Sequence, residues 1–87
     1  MDMKRFGERL REQRELAGLS QTEVSQRTGI IQADLSLLER GKKRALWAGT
    51  LERLAQALGC TMDYLAGISD EPAPAKRQRT RKTAPAD

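Results

Sequence analysis

The sequence predicts an all-α fold, a compact bundle of about five short helices followed by a basic tail. Three observations predict it. Ser20-Gln21-Thr22-Glu23 is a capping box: the serine hydroxyl can accept the Glu23 amide, and the Glu23 carboxylate can reach back to the Ser20 amide. Apolar residues recur at helical spacing, as in Ile31, Leu35 and Leu38, or Leu51, Leu54, Ala55 and Leu58. Glycines stand where these periods stop, among them Gly29, Gly41 and Gly59, and glycine tolerates the left-handed backbone that ends a helix.

Taken in order, Met3 to Ala17 reads as the first helix. Phe6, Leu10 and Ala17 form its apolar stripe, with Met3 and Leu16 at the margins. Glu8, Arg9, Arg11, Glu12 and Glu15 line its wet side, and Gly18 stops it. Arg14 lies close to the stripe, an unusual place for a charge. The second helix spans about Gln21 to Thr28 around Val24, with Leu19 and Val24 placed as a hydrophobic staple. The third spans about Gln32 to Arg40, with Leu35 and Leu38 inward and Ile31 at its mouth. Thr50 can cap a fourth helix ending at Leu58. Thr61 can cap a short fifth one carrying Met62, Tyr64 and Leu65, and stopped near Gly67. The stretch 20–41, two short helices around a glycine turn, has the form of a DNA-reading helix-turn-helix.

The chain resembles the Cro/repressor-like (XRE-type) helix-turn-helix family of bacterial and phage transcriptional regulators. The resemblance runs from about Phe6 to Gly67. It is carried by Phe6-Gly7, Leu10-Arg11, Arg14, Gly18-Leu19-Ser20-Gln21, Glu23, Gly29, Leu35-Ser36, Glu39-Arg40-Gly41-Lys42, Thr50-Leu51, Leu54-Ala55, Ala57-Leu58-Gly59 and Asp63-Tyr64-Leu65-Ala66-Gly67. It implies a lambda-repressor-like domain over 1–69, with the recognition helix at 32–40 and a disordered basic tail at 70–87. It also implies that Arg14 pairs with Glu39, tying the first helix to the third. Gln21 either contacts a DNA phosphate or is an ordinary first-turn residue.

In this family the outer face of the third helix enters the major groove. Gln32, Ala33, Ser36 and Leu37 are then the base-facing residues, with Arg40 beside them. Glutamine can bond both N6 and N7 of adenine, whereas Ala33 and Leu37 offer only apolar contact, for instance to a thymine methyl. Leu37 can instead serve a dimer or a protein partner. Lys42, Lys43 and Arg44 form a basic turn suited to phosphates.

The sequence departs from the family pattern at several places. Ile31 stands where Ser or Thr often caps the recognition helix, and isoleucine cannot cap. Asp34 suits the helix dipole but repels phosphate. It can accept from cytosine N4, turn away, or cap the helix. The linker Ala45 to Gly49 lacks the usual proline. Its Trp47, the sole tryptophan, has three readings: closure of the core over the fourth helix, a dimer seam, or a DNA contact. Trp47, Met62, Leu65 and Ile68 are the candidates for a dimer interface, the last three unless they simply belong to the core.

Size and charge bound the function. Eighty-seven residues make one small domain and a tail. The single cysteine, Cys60, permits no intrachain disulfide, and histidine is absent. The usual nucleophile-and-base pairs are therefore missing, and no enzyme, cofactor or metal site is expected. No apolar run approaches the roughly 20 residues of a membrane span, so a cytoplasmic, nucleoid-associated protein is expected. The net charge is +4 and the pI about 9.7, which favours polyanionic partners. Residues 1–69 carry 11 Lys and Arg against 9 Asp and Glu; residues 70–87 carry 5 against 3. The tail thus holds half the excess charge. The expected function is sequence-specific DNA binding by a homodimer on a pseudo-palindromic operator, acting as a repressor. The alternative is an antitoxin-like or other partner-binding module with secondary autoregulatory DNA binding.

Overall fold

The computed structural model describes residues 1–72 and contains five helices: α1 (Met3–Leu16), α2 (Gln21–Thr28), α3 (Gln32–Glu39), α4 (Ala48–Leu58) and α5 (Met62–Ala66). Three of them, α1, α2 and α5, begin at a side-chain cap. Asp2 caps α1 through Oδ1, which accepts from the amides of Lys4 and Arg5 at 3.0 and 3.2 Å. Both halves of the Ser20–Glu23 capping box are present on α2. Thr61 caps α5 by accepting from the Tyr64 amide at 3.0 Å. The third helix has no side-chain cap, because Ile31 occupies that position.

The core contains Phe6 and Leu10 of α1, Val24 of α2, Leu35 and Leu38 of α3, Leu54, Ala55 and Leu58 of α4, Cys60, and Tyr64 and Leu65 of α5. Every helix buries one face in it, which removes apolar surface from water and fixes the helices against each other. Helix α1 and the end of α3 approach closely at Gly7. A Cβ there would lie 2.4 Å from the Leu38 carbonyl oxygen and 2.6 Å from that of Glu39. Only glycine lets these two backbones meet.

The structure corrects several expectations. Ala17 and Leu16 do not extend the α1 stripe; Leu16 is 74% exposed. The stripe runs out at Leu10, and one turn further on it is occupied by Arg14. Ile31 is 69% exposed, and its neighbour Ile30 packs on the core instead. Helix α4 starts two residues before Thr50, with Trp47 as its N-cap. Trp47 does not close the core. It is 82% exposed, because its extended backbone sends adjacent side chains to opposite sides, and Leu46 takes the inner place. Leu65 is 1% exposed, so it belongs to the core and not to a surface a second subunit could touch.

Asp70, Glu71 and Pro72 lie back on the helices. The Pro72 carbonyl accepts from the Thr61 amide at 2.9 Å, and Asp70 Oδ1 accepts from Arg9 at 2.7 Å and Arg5 at 3.2 Å. The remainder of the expected basic tail, 73–87, lies outside the described residues.

Candidate nucleic-acid interface

The site is built around the α2–turn–α3 unit. Ser20 Oγ accepts the Glu23 amide at 3.0 Å, and the Ser20 amide donates to Glu23 Oε1 at 2.8 Å. The Ser20 amide bond holds the Glu23 carboxyl below its ordinary range. Gly29, at φ +77°, ends α2, and three residues later, at Gln32, α3 starts.

The placement of α3 is set by one carboxylate. Glu39 accepts from Arg14 Nε at 2.6 Å, from Arg14 Nη2 at 3.0 Å and from Gln21 Nε2 at 3.0 Å. Arg14 Nη1 also donates to the Leu19 carbonyl at 3.0 Å. The Glu39 side chain is 3% exposed and that of Arg14 13%. A buried charge is tolerated when it is paired in two-pronged fashion and its remaining sites are satisfied. The Arg14–Glu39 pair expected from the sequence is therefore present, and it joins α1, α2 and α3. Gln21 contributes to this junction; its side-chain amide is turned toward Glu39.

The face of α3 directed away from the core carries Gln32 and Ala33, both exposed, then Ser36 and Leu37, both half-buried, and Arg40 at its end. Gln32 Oε1 accepts from the Thr22 hydroxyl at 3.2 Å. That bond steadies Gln32 against α2 and leaves a second lone pair and the NH2 group for a ligand. Asp34 turns aside and pairs with Lys43 at 3.5 Å. Lys42 and Arg44 are exposed beside it. A strip of polar and apolar side chains thus lies next to a basic turn, a chemistry that suits a duplex groove flanked by phosphates.

Sequence reasoning missed several contacts. Arg9, assigned to the wet side, is only 12% exposed at its side chain. It donates to the carbonyls of Tyr64 and Ser69 at 2.6 and 2.7 Å and lies 4.1 Å over the Tyr64 ring. The Tyr64 hydroxyl donates to Glu12 at 2.8 Å. Arg9 and Glu12 fall among the charged residues of α1 that lie off its apolar stripe, so no pattern marks them. The expected interface residues are not equivalent: Ile68 is 77% exposed, whereas Met62 packs partly on the core. Trp47 and Ile31 both line an open cavity of about 350 Å³, together with Ile30, Leu38, Leu46 and Arg53.

Residues 5–66 match the family model described as a helix-turn-helix domain. The chain belongs to the Cro/repressor-like helix-turn-helix family of transcriptional regulators. This helix-turn-helix domain is 34% identical to the restriction-modification controller protein C.AhdI from Aeromonas hydrophila, with a TM-score of 0.68 over 74% of this chain and 96% of that one. It is 46% identical over 54 residues to YozG of Bacillus subtilis strain 168, an uncharacterized HTH-type transcriptional regulator. That match covers 61% of the chain and 64% of YozG, so the chain spans less than two thirds of this relative. The fold is also that of the biofilm master regulator SinR in complex with DNA, at 24% identity and a TM-score of 0.67 over 70% of this chain and 97% of that one. Among the described residues, no helix is long and apolar enough to cross a membrane.

Proposed function

We propose that this protein is a sequence-specific, DNA-binding transcriptional repressor that acts in the cytoplasm on the nucleoid. A homodimer would bind a pseudo-palindromic operator, with one α3 per half-site and half-sites about one helical turn apart. The observation that carries the reading is the Glu39 junction. It fixes the end of α3 to α1 and α2 while leaving Gln32, Ala33, Ser36 and Leu37 to face a ligand beside Lys42, Lys43 and Arg44. Gln32 and its neighbours would meet base edges. Arg40 and the basic turn would meet phosphates, as would the free amides at the start of α2 beside Gln21. Ile68, with Met62 at its margin, is the apolar surface on which a second subunit would seat. The likeness to a restriction-modification controller protein supports a regulatory role. No catalytic chemistry is proposed.

A second reading is favoured by a different observation. Trp47 and Ile31 are large, apolar and exposed, and such residues together often mark a protein-binding surface. One structure sharing the fold, at 20% identity and a TM-score of 0.68, is a SinR–SinI protein complex. In this reading an antitoxin-like domain grips a protein partner and regulates its own promoter secondarily.

Selection from a random duplex library, with the full-length protein at near-physiological salt, tests the proposal. An enriched palindrome is the expected result. Retention of DNA without enrichment would leave a phosphate-binding domain and favour the partner-binding reading.

A further inference from the structure

We infer that Arg53, a residue of α4, is a positioning residue that aims the recognition helix by locking the turn between α2 and α3. The inference rests on the DNA-binding reading above. The turn lacks the usual device for setting the start of α3, because Ile31 gives no side-chain cap. Other bonds take its place. The buried Thr28 hydroxyl donates to the Val24 carbonyl at 2.7 Å and accepts from the Ile30 amide at 3.2 Å. The Ser25 hydroxyl donates to the Ile30 carbonyl. These local bonds shape the turn but tie it only to α2.

The Thr28 carbonyl is one of the last carbonyls of α2, which a helix leaves without internal partners. Arg53 Nη1 donates to it at 3.1 Å, from 25 residues away in sequence. The same guanidinium donates through Nε to the Gly49 carbonyl in the first turn of α4, at 3.4 Å. One planar group thus spans the end of α2 and the start of α4. It also brings a positive charge to the negative end of the α2 dipole. Nη1 lies 3.7 Å from where a Cβ on Gly29 would stand, so the arginine is seated directly on the residue that reverses the chain. The direction in which α3 leaves this turn decides which side chains reach a groove. Arg53 therefore acts on recognition through the turn rather than by touching DNA.

The test compares wild type, Arg53→Met and Arg53→Lys on the duplex that wild type selects and on a scrambled duplex, over a range of salt. Arg53→Met should lose about tenfold in affinity for the selected duplex, the scale of one hydrogen bond to a charged group. Its affinity for the scrambled duplex and its salt slope should stay as in wild type. Arg53→Lys keeps the charge and one donor but not the fork, so it should recover part of the loss. Amide hydrogen exchange at Gly29 to Gln32, followed without DNA, should be faster in Arg53→Met. A salt slope reduced by about one, with both duplexes weakened together, would make Arg53 a phosphate contact and overturn the inference. So would an unchanged preference for the selected duplex. If Arg53→Met fails to fold, Arg53→Lys carries the comparison alone: wild-type preference and exchange in that variant would overturn the inference. Wild-type protein that retains no duplex overturns the DNA-binding reading instead, and with it any role of Arg53 in aiming a helix at DNA.

Discussion

At the scale of single residues, the fold depends on a few side chains whose partners cannot be exchanged. Glu39→Gln keeps the shape of the side chain but leaves the Arg14 guanidinium without its counter-charge in a poorly hydrated place. Breaking a buried pair from one side typically costs about 3–5 kcal/mol, and urea denaturation of Glu39→Gln should show a loss of that size. Arg14→Met combined with Glu39→Leu should be much less harmful than either change alone; a loss equal to the sum of the two single losses would mean the pair is not coupled. Gly7→Ala should lower the melting temperature sharply, because the added methyl meets two α3 carbonyls that cannot move away. The apolar stripe marked Arg14 as a charge in need of a partner, and the family resemblance named Glu39 as that partner. Arg9 carried no such mark. Its role depends on α5 and the segment 69–70 folding back over α1, and nothing local to Arg9 reports that.

At the scale of elements, the caps and glycine stops placed α2 and α5 accurately, and α3 to within a residue. They failed at the start of α4. Thr50 has the chemistry of an N-cap, yet the helix begins earlier, at an uncapped Trp47. Tertiary packing of Leu46 and Leu51 on the core overrides the local signal there. Alternation along the linker likewise placed Leu46 inward and Trp47 outward, which a sequence pattern of two adjacent apolar residues leaves undecided. The basic turn after α3 carries its own prediction. Removing Lys42, Lys43 and Arg44 together should weaken binding to every duplex and flatten the salt slope by about two to three. Asp34→Asn should do the reverse, since it releases Lys43 and removes a repelling carboxylate. An unchanged slope in both variants would remove this turn from the phosphate contacts.

At the scale of the whole molecule, two groups of the core, Cys60 and Tyr64, contribute to its response to alkali. Burial pushes the Cys60 thiol above its ordinary value of 9.0. Burial, reinforced by the Glu12 carboxylate, pushes the Tyr64 hydroxyl above its ordinary value of 10.0, against the opposing influence of Arg9 and Gln13. A group that holds its proton more tightly when folded contributes stability below its unfolded pKa, and that contribution is lost as pH rises through the folded one. Urea midpoints should therefore fall from neutrality into the range above these values, and Cys60→Ala should reduce the fall. A flat profile would mean that neither group feels the core. Assembly was the least legible property of the chain. Of the four residues expected at a dimer seam, the fold buries Leu65 and half-covers Met62, because their helical spacing serves the core as readily as a partner.

Whether the N-terminal end of α3 reads bases is decided by binding to single-base variants of the operator. The selected operator is varied one base pair at a time, and each variant is titrated with wild type and Gln32→Ala. The account predicts that Gln32→Ala loses about 1–3 kcal/mol of discrimination at one position in each half-site, with the other positions and the salt slope unchanged. Wild-type discrimination at every position would contradict it, and α3 would no longer be the element that reads DNA through Gln32.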